Sequence, residues 1–131
     1  MPITLVCGPP CSGKSRYVDE RFEPGDLVWD YDVVARALTW SEQRRPEWIL
    51  PFACEARDAI LERLARPSHL RHAWIIAFGA TRAERAAFRS HQVVILDVDA
   101  DTCKQRAAWD NRPYETYEQI DKWWSLYERE W

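Results

Sequence analysis

No apolar run in this sequence approaches the about 20 residues that a helical membrane span requires, so a spanning helix is excluded. The amino terminus passes directly into a strand-like run, without the basic and apolar blocks of a secretory leader, and the expectation is a cytoplasmic protein. Cysteine is sparse and unpatterned. Cys7, Cys11, Cys54 and Cys103 form no C-x-x-C pair, and His69, His72 and His91 stand apart from them. A zinc site and a disulfide framework are both disfavoured, and the thiols are read as reduced. Repeats, linkers and low-complexity stretches are absent, and 131 residues leave no room for a second domain. A formal charge of −3 argues against a general nucleic-acid coating role.

Against those absences stands one dense motif. Residues 8 to 15 read Gly8-Pro9-Pro10-Cys11-Ser12-Gly13-Lys14-Ser15, a complete G-x-x-x-x-G-K-[ST] phosphate loop, behind the apolar run Ile3-Thr4-Leu5-Val6-Cys7. Ordinary residue frequencies produce that pattern in only roughly 4 of every 1,000 chains of this length, so an accidental turn is the weaker explanation. Gly8 and Gly13 let the backbone fold around a phosphate with its N–H groups pointing inward, and a helix opening at Lys14 adds its dipole. Lys14 can bridge the β- and γ-phosphates, while the Ser15 hydroxyl can complete the shell of a Mg²⁺ ion. The expected ligand is a nucleoside triphosphate held by residues 8 to 15, with Arg16 beside them. Cys11, within the loop, is either a small filler or a thiol whose pKa is lowered by the surrounding N–H dipoles.

Four β-like runs, 3–7, 27–31, 73–78 and 92–98, alternate with helical patterns at 14–22, 32–42, 52–65, 81–90, 101–109 and 116–131. The expected apolar faces are Val33, Val34, Ala37 and Leu38 in one helix and Phe52, Ala56, Ala59, Ile60 and Leu64 in another. Asp101 is a candidate N-cap, and Thr116 with Gln119 resembles a capping box. The last helix carries Ile120, Trp123, Trp124, Tyr127 and Trp131 as one broad stripe. Nearly unbroken apolar strands between helices imply an α/β fold, a three-layer sandwich around a parallel sheet.

Charge and tryptophan are unevenly spread. Residues 36–89 carry 10 basic and 6 acidic side chains, so a negative protein has a middle third of +4, which suits either an anionic partner or a solvated helix face. Trp109, Trp123, Trp124 and Trp131 crowd the last quarter of the chain. Helical spacing assigns three of them to the core, whereas Trp109 is the candidate for stacking on a base.

Three clusters narrow the chemistry beyond nucleotide binding. Asp30-Tyr31-Asp32 ends the second strand, where open α/β sheets place their ligand crevice. Either carboxylate can accept the proton of an attacking hydroxyl or orient Mg²⁺, and Asp32 can alternatively cap a helix starting at Val33. Arg106 and Arg112 can clamp transferring oxygens from a lid over about 104–114, or simply pair with Asp99, Asp101 or Asp110. Arg82 and Arg85 can grip phosphate, although a plain helix start capped by Thr81 accounts for them better. Asp97, closing the fourth run, can reach Mg²⁺ through water or cap the strand end.

With these residues in place, the chain resembles the small phage-type P-loop kinases related to polynucleotide kinase and, more remotely, zeta toxins. The resemblance rests on GPPCSGKS, on the DYD after the second strand, and on the segment from Leu96 through Arg106 with Arg112 and the downstream Ile120, Trp123 and Trp124. It implies a P-loop kinase sandwich of four or five parallel strands using ATP and Mg²⁺. It further implies Asp30 or Asp32 as base, Lys14 and Ser15 on ATP and Mg²⁺, and Arg106 and Arg112 as lid arginines. Its acceptor would be a hydroxyl of a nucleotide, nucleoside or nucleic acid, and its location the host cytoplasm if the chain is phage-encoded. No clear fifth strand follows the lid, where many such kinases hold the adenine, so the closing helix must replace it or base contacts are few. The rival reading is a nucleotide-binding ATPase module without an acceptor. Motors need more chain than this, and the N-K-x-D motif of switch GTPases is absent.

Overall fold

In the computed structural model, which describes residues 1–40 and 46–130, each strand is followed by helix, with two helices after the second and after the fourth strand. β1 (Ile3–Cys7), β2 (Asp26–Asp30), β3 (His72–Ala77) and β4 (Gln92–Ile95) form one parallel sheet in the order β2-β3-β1-β4. The helices are α1 (Lys14–Asp19), α2 (Tyr31–Thr39), α3 (Ile49–Leu64), α4 (Arg82–Ala86), α5 (Ala100–Trp109) and α6 (Tyr114–Leu126).

The period of two along β1 builds three layers. Ile3, Leu5 and Cys7 pack with Trp29, Ala73 and Ile75 beneath Val34 of α2 and Ala56, Ile60 and Leu64 of α3. Val6 faces the other way, with Trp74 and Ile76, against Tyr17 and Val18 of α1. Every β1 residue is therefore buried, which is why the run is apolar without alternation. The one buried hydroxyl in β1, that of Thr4, pairs with Nε2 of His72 at 2.8 Å. A third cluster, Cys103 and Ala107 of α5 with Ile120 of α6, packs against Cys11 of the phosphate loop. No described helix is long and apolar enough to cross a membrane.

Several local expectations change in tertiary context. The fourth strand, expected over 92–98, pairs only to Ile95, because β1 stops at Cys7 and the chain there turns into the phosphate loop. α2 begins at Tyr31 and ends where Trp40 turns left-handed at φ 55°, while positions 41 and 42 lie outside the described residues. Its buried residue is Ala35, whereas Val33 and Leu38 are exposed. α3 starts earlier than expected, and its buried stripe runs Ile49, Ala53 and Leu64, leaving Phe52 outward beside Trp48. Asp99 caps α5 by accepting from the Thr102 N–H at 3.0 Å, in place of Asp101. α6 begins at Tyr114 behind Pro113, so Thr116 and Gln119 lie inside it and form no capping box. Thr81 does cap α4, accepting from the Glu84 N–H.

α6 fastens the carboxyl ends of the strands. The indole N–H of Trp123 donates to the Phe78 carbonyl at 2.7 Å, and that of Trp124 to the Val98 carbonyl at 3.1 Å. Tyr127 then leaves the helix, and the following residues run back over α4: the Glu128 N–H donates to the Ala80 carbonyl and its carboxylate accepts from the Arg82 N–H. Trp131 lies outside the described residues. Four strands, and no fifth, are present among the described residues.

Candidate active site

The phosphate loop joins β1 to α1 at the carboxyl edge of the sheet. Gly8 is required by crowding, since a Cβ there would stand 2.5 Å from Ser12 Oγ and 2.7 Å from the Leu96 carbonyl oxygen. Gly13 is required by conformation: it sits at φ 96° as the N-cap of α1, a left-handed geometry that side chains resist. The first turn of α1 has neither a side-chain cap nor an acidic residue, which leaves its N–H groups and dipole directed at the loop. Ser12 is buried and its hydroxyl has no hydrogen-bond partner among the described residues. An orphaned donor in a concave loop with an uncapped helix start suits an anion.

Lys14 turns its ammonium back into this loop, donating to the carbonyls of Gly8 at 2.6 Å and Pro9 at 3.3 Å. Burial lowers its pKa, and the charges of Asp32 and, more weakly, Asp30 oppose that shift. Both carboxylates thus act on the loop lysine from the end of β2. Asp30 is the N-cap of α2, its Oδ1 accepting from the Asp32 N–H at 3.0 Å. The cap is therefore Asp30, not Asp32, and burial raises the Asp30 carboxyl above the usual carboxylate range.

A cavity of about 1220 Å³ gathers these groups. Its wall holds the loop residues Pro10 through Arg16, the pair Asp30 and Asp32, and Arg106, Trp109 and Arg112. Pro9 is buried beneath the loop, and Ser15 and Arg16 are exposed, Arg16 pairing with Glu20 at 3.0 Å. Arg106 donates to the Cys11 carbonyl at 3.1 Å, while Arg112 stands 3.9 Å from Asp110. The segment expected as a lid is the second half of α5 followed by a short turn into α6. Asp97 is exposed two residues beyond β4 and does not line the cavity. No cluster of three or more metal-ligating side chains occurs among the described residues.

Two open alternatives are decided here, both for the structural reading. The Cys11 thiol is raised rather than lowered, because burial outweighs the cations Arg112, Lys14 and Arg106. Arg85 is nearly fully buried and grips main-chain carbonyls, those of Gly79 at 2.7 Å, Ala80 at 3.1 Å and Glu128, so it faces protein and not the cavity. Arg57, which the helical pattern did not single out, lines the same cavity beside Asp58 and 5.9 Å from the Phe88 ring centroid. Its signal is only the one-turn offset from Ala53, visible once the true start of α3 is known. A separate cavity of about 920 Å³ lies at the amino ends of β1 and β4 and contains none of the loop residues.

Among solved structures, shikimate kinase from Acinetobacter baumannii in complex with shikimate aligns with a TM-score of 0.59 over 96% of this chain and 75% of that one. The chain has a P-loop kinase fold. The two sequences are 19% identical, so the likeness is one of fold, and the chemistry of this P-loop kinase-like chain rests on its own residues. No protein-family model and no curated protein matches the sequence.

Proposed function

We propose that the chain is an ATP- and Mg²⁺-dependent phosphotransferase that delivers a γ-phosphoryl group to a hydroxyl of a nucleotide, nucleoside or nucleic-acid end, in the manner of polynucleotide kinase, and acts in the cytoplasm. The observation that carries this reading is a cavity whose wall holds the phosphate loop together with Asp30 and Asp32, at and just after the end of the edge strand β2, and Arg106 and Arg112, in and after the helix that follows the other edge strand, β4. Phosphoryl transfer needs that set: a cradle, a proton acceptor beside the nucleophile, and cations on the developing charge.

Residues 8 to 15 would bind the triphosphate, with Lys14 turning from its present carbonyl partners to phosphate oxygens. Asp32 would accept the proton of the attacking hydroxyl, since Asp30 is committed to capping α2 and fixes the turn on which Asp32 is carried. Arg106 and Arg112 would neutralise the transferring oxygens. Ser15 would hold Mg²⁺, which when bound supplies charge neutralisation to the phosphates, and Asp97 would act on it only through water.

The test is transfer of labelled γ-phosphate from ATP to nucleosides, nucleotides, 5′-hydroxyl oligonucleotides and shikimate, which the structural neighbour binds. A labelled acceptor is expected, and Asp32→Asn should lower kcat about 10²- to 10⁴-fold. Release of free phosphate with every acceptor unlabelled would replace this reading with that of an ATPase module.

A further inference from the structure

Of the exposed tryptophans among the described residues, Trp40, Trp48 and Trp109, only Trp109 lies on the wall of the cavity that holds the phosphate loop. It is 89% exposed at the carboxyl end of α5 and has no ring or hydrogen-bond partner among the described residues. Trp123 and Trp124, by contrast, meet edge to face and donate to main-chain carbonyls. Packing does not account for Trp109.

Its place along the helix gives it a role. Arg106, one turn earlier, is bonded to the Cys11 carbonyl of the loop, so Trp109 stands about one helical turn, roughly 5 Å, farther out from that anchor. In phosphoryl transfer the attacking and leaving oxygens lie roughly in line on opposite sides of phosphorus. An acceptor beside Asp30 and Asp32 therefore directs the nucleoside half of the donor away from β2, towards α5, which follows the opposite edge strand β4 and lines the same cavity. We propose that Trp109 is the stacking platform for the nucleobase of a triphosphate held by the loop. This inference rests on the nucleotide-binding reading above. Every base offers a π-face, so the platform is tolerant and serves ATP and GTP alike.

The test compares Mg²⁺-ATP, Mg²⁺-GTP and inorganic tripolyphosphate by calorimetry, in the full chain and in Trp109→Ala and Trp109→Phe. Trp109→Ala should weaken ATP and GTP about 5- to 140-fold and leave tripolyphosphate unchanged, and Trp109→Phe, which keeps a ring, should restore most of the loss. Unchanged ATP affinity in Trp109→Ala, or an equal loss for tripolyphosphate, would overturn the platform while sparing the loop. A parent chain that binds none of the three would overturn the nucleotide reading and the platform together.

Discussion

Nη1 of Arg106 donates to the main-chain carbonyl of Cys11 at 3.1 Å, tying the middle of α5 to the crown of the phosphate loop. The bond is exposed, so it adds little to stability, but it holds a cation beside the place where transferred charge would develop. Arg106→Ala should therefore leave the melting temperature nearly unchanged and lower kcat for phosphoryl transfer about 10²- to 10³-fold. A variant that turns over like the parent would remove Arg106 from the machinery.

Asp30 supplies a pH signature. Burial raises its folded carboxyl pKa, so the native state holds the proton more tightly than the unfolded chain does. Its contribution to stability is present below the unfolded carboxylate pKa and is lost as pH rises through the folded value. Asn caps a helix about as well as Asp, so Asp30→Asn removes that loss and keeps the cap. The difference in melting temperature, variant minus parent, should grow more positive from pH 3 to pH 7. A difference independent of pH would show that burial does not govern this carboxyl.

Trp123 is fully buried, and its indole N–H meets the Phe78 carbonyl at 2.7 Å. Trp123→Phe keeps an aromatic ring but strands that carbonyl, at a cost of about 1–3 kcal/mol, whereas Trp123→Ala also opens a cavity and should cost about 3–5 kcal/mol. Urea denaturation measures both. A Trp123→Phe variant as stable as the parent would mean that the hydrogen bond contributes nothing.

Arg85→Met tests the clamp at the end of β3. Methionine can fill much of the space but removes the side-chain donor of the Gly79 and Glu128 carbonyls and leaves that of Ala80 with the Glu128 N–H alone. A loss of about 2 kcal/mol or more is expected, with amide exchange accelerated in residues 127–130. Slow exchange in that tail despite the substitution would show that Arg85 does not hold it.

The legible part of this protein is the part written in short-range chemistry. The G-x-x-x-x-G-K-S spelling, the strand in front of it and the succession of strands and helices follow from backbone conformation and apolar periodicity; β1 appears residue for residue, and the other elements appear in the expected order with shifted ends. The departures at helix starts share a cause. Asp99 rather than Asp101 caps α5, and the capping role left open for Asp32 falls to Asp30, because a helix start depends on where the preceding strand lets go. In α3 the expected residues Ala56, Ile60 and Leu64 do meet the core, whereas Phe52 turns outward and Ile49 and Ala53 are buried, since the face that is covered is set by the sheet beneath it.

By itself, then, the sequence determined a phosphate cradle and a parallel α/β layering, because both are specified by residues close together in the chain. Helical spacing already placed Trp123 in the core, but only the tertiary structure decided that Arg85 is a clamp while Arg106 faces the cavity, and that Trp109 lies exposed on that cavity's wall. Arginine and tryptophan carry both apolar surface and donors, so either environment can satisfy them, and the choice falls to whichever partners distant segments bring within reach.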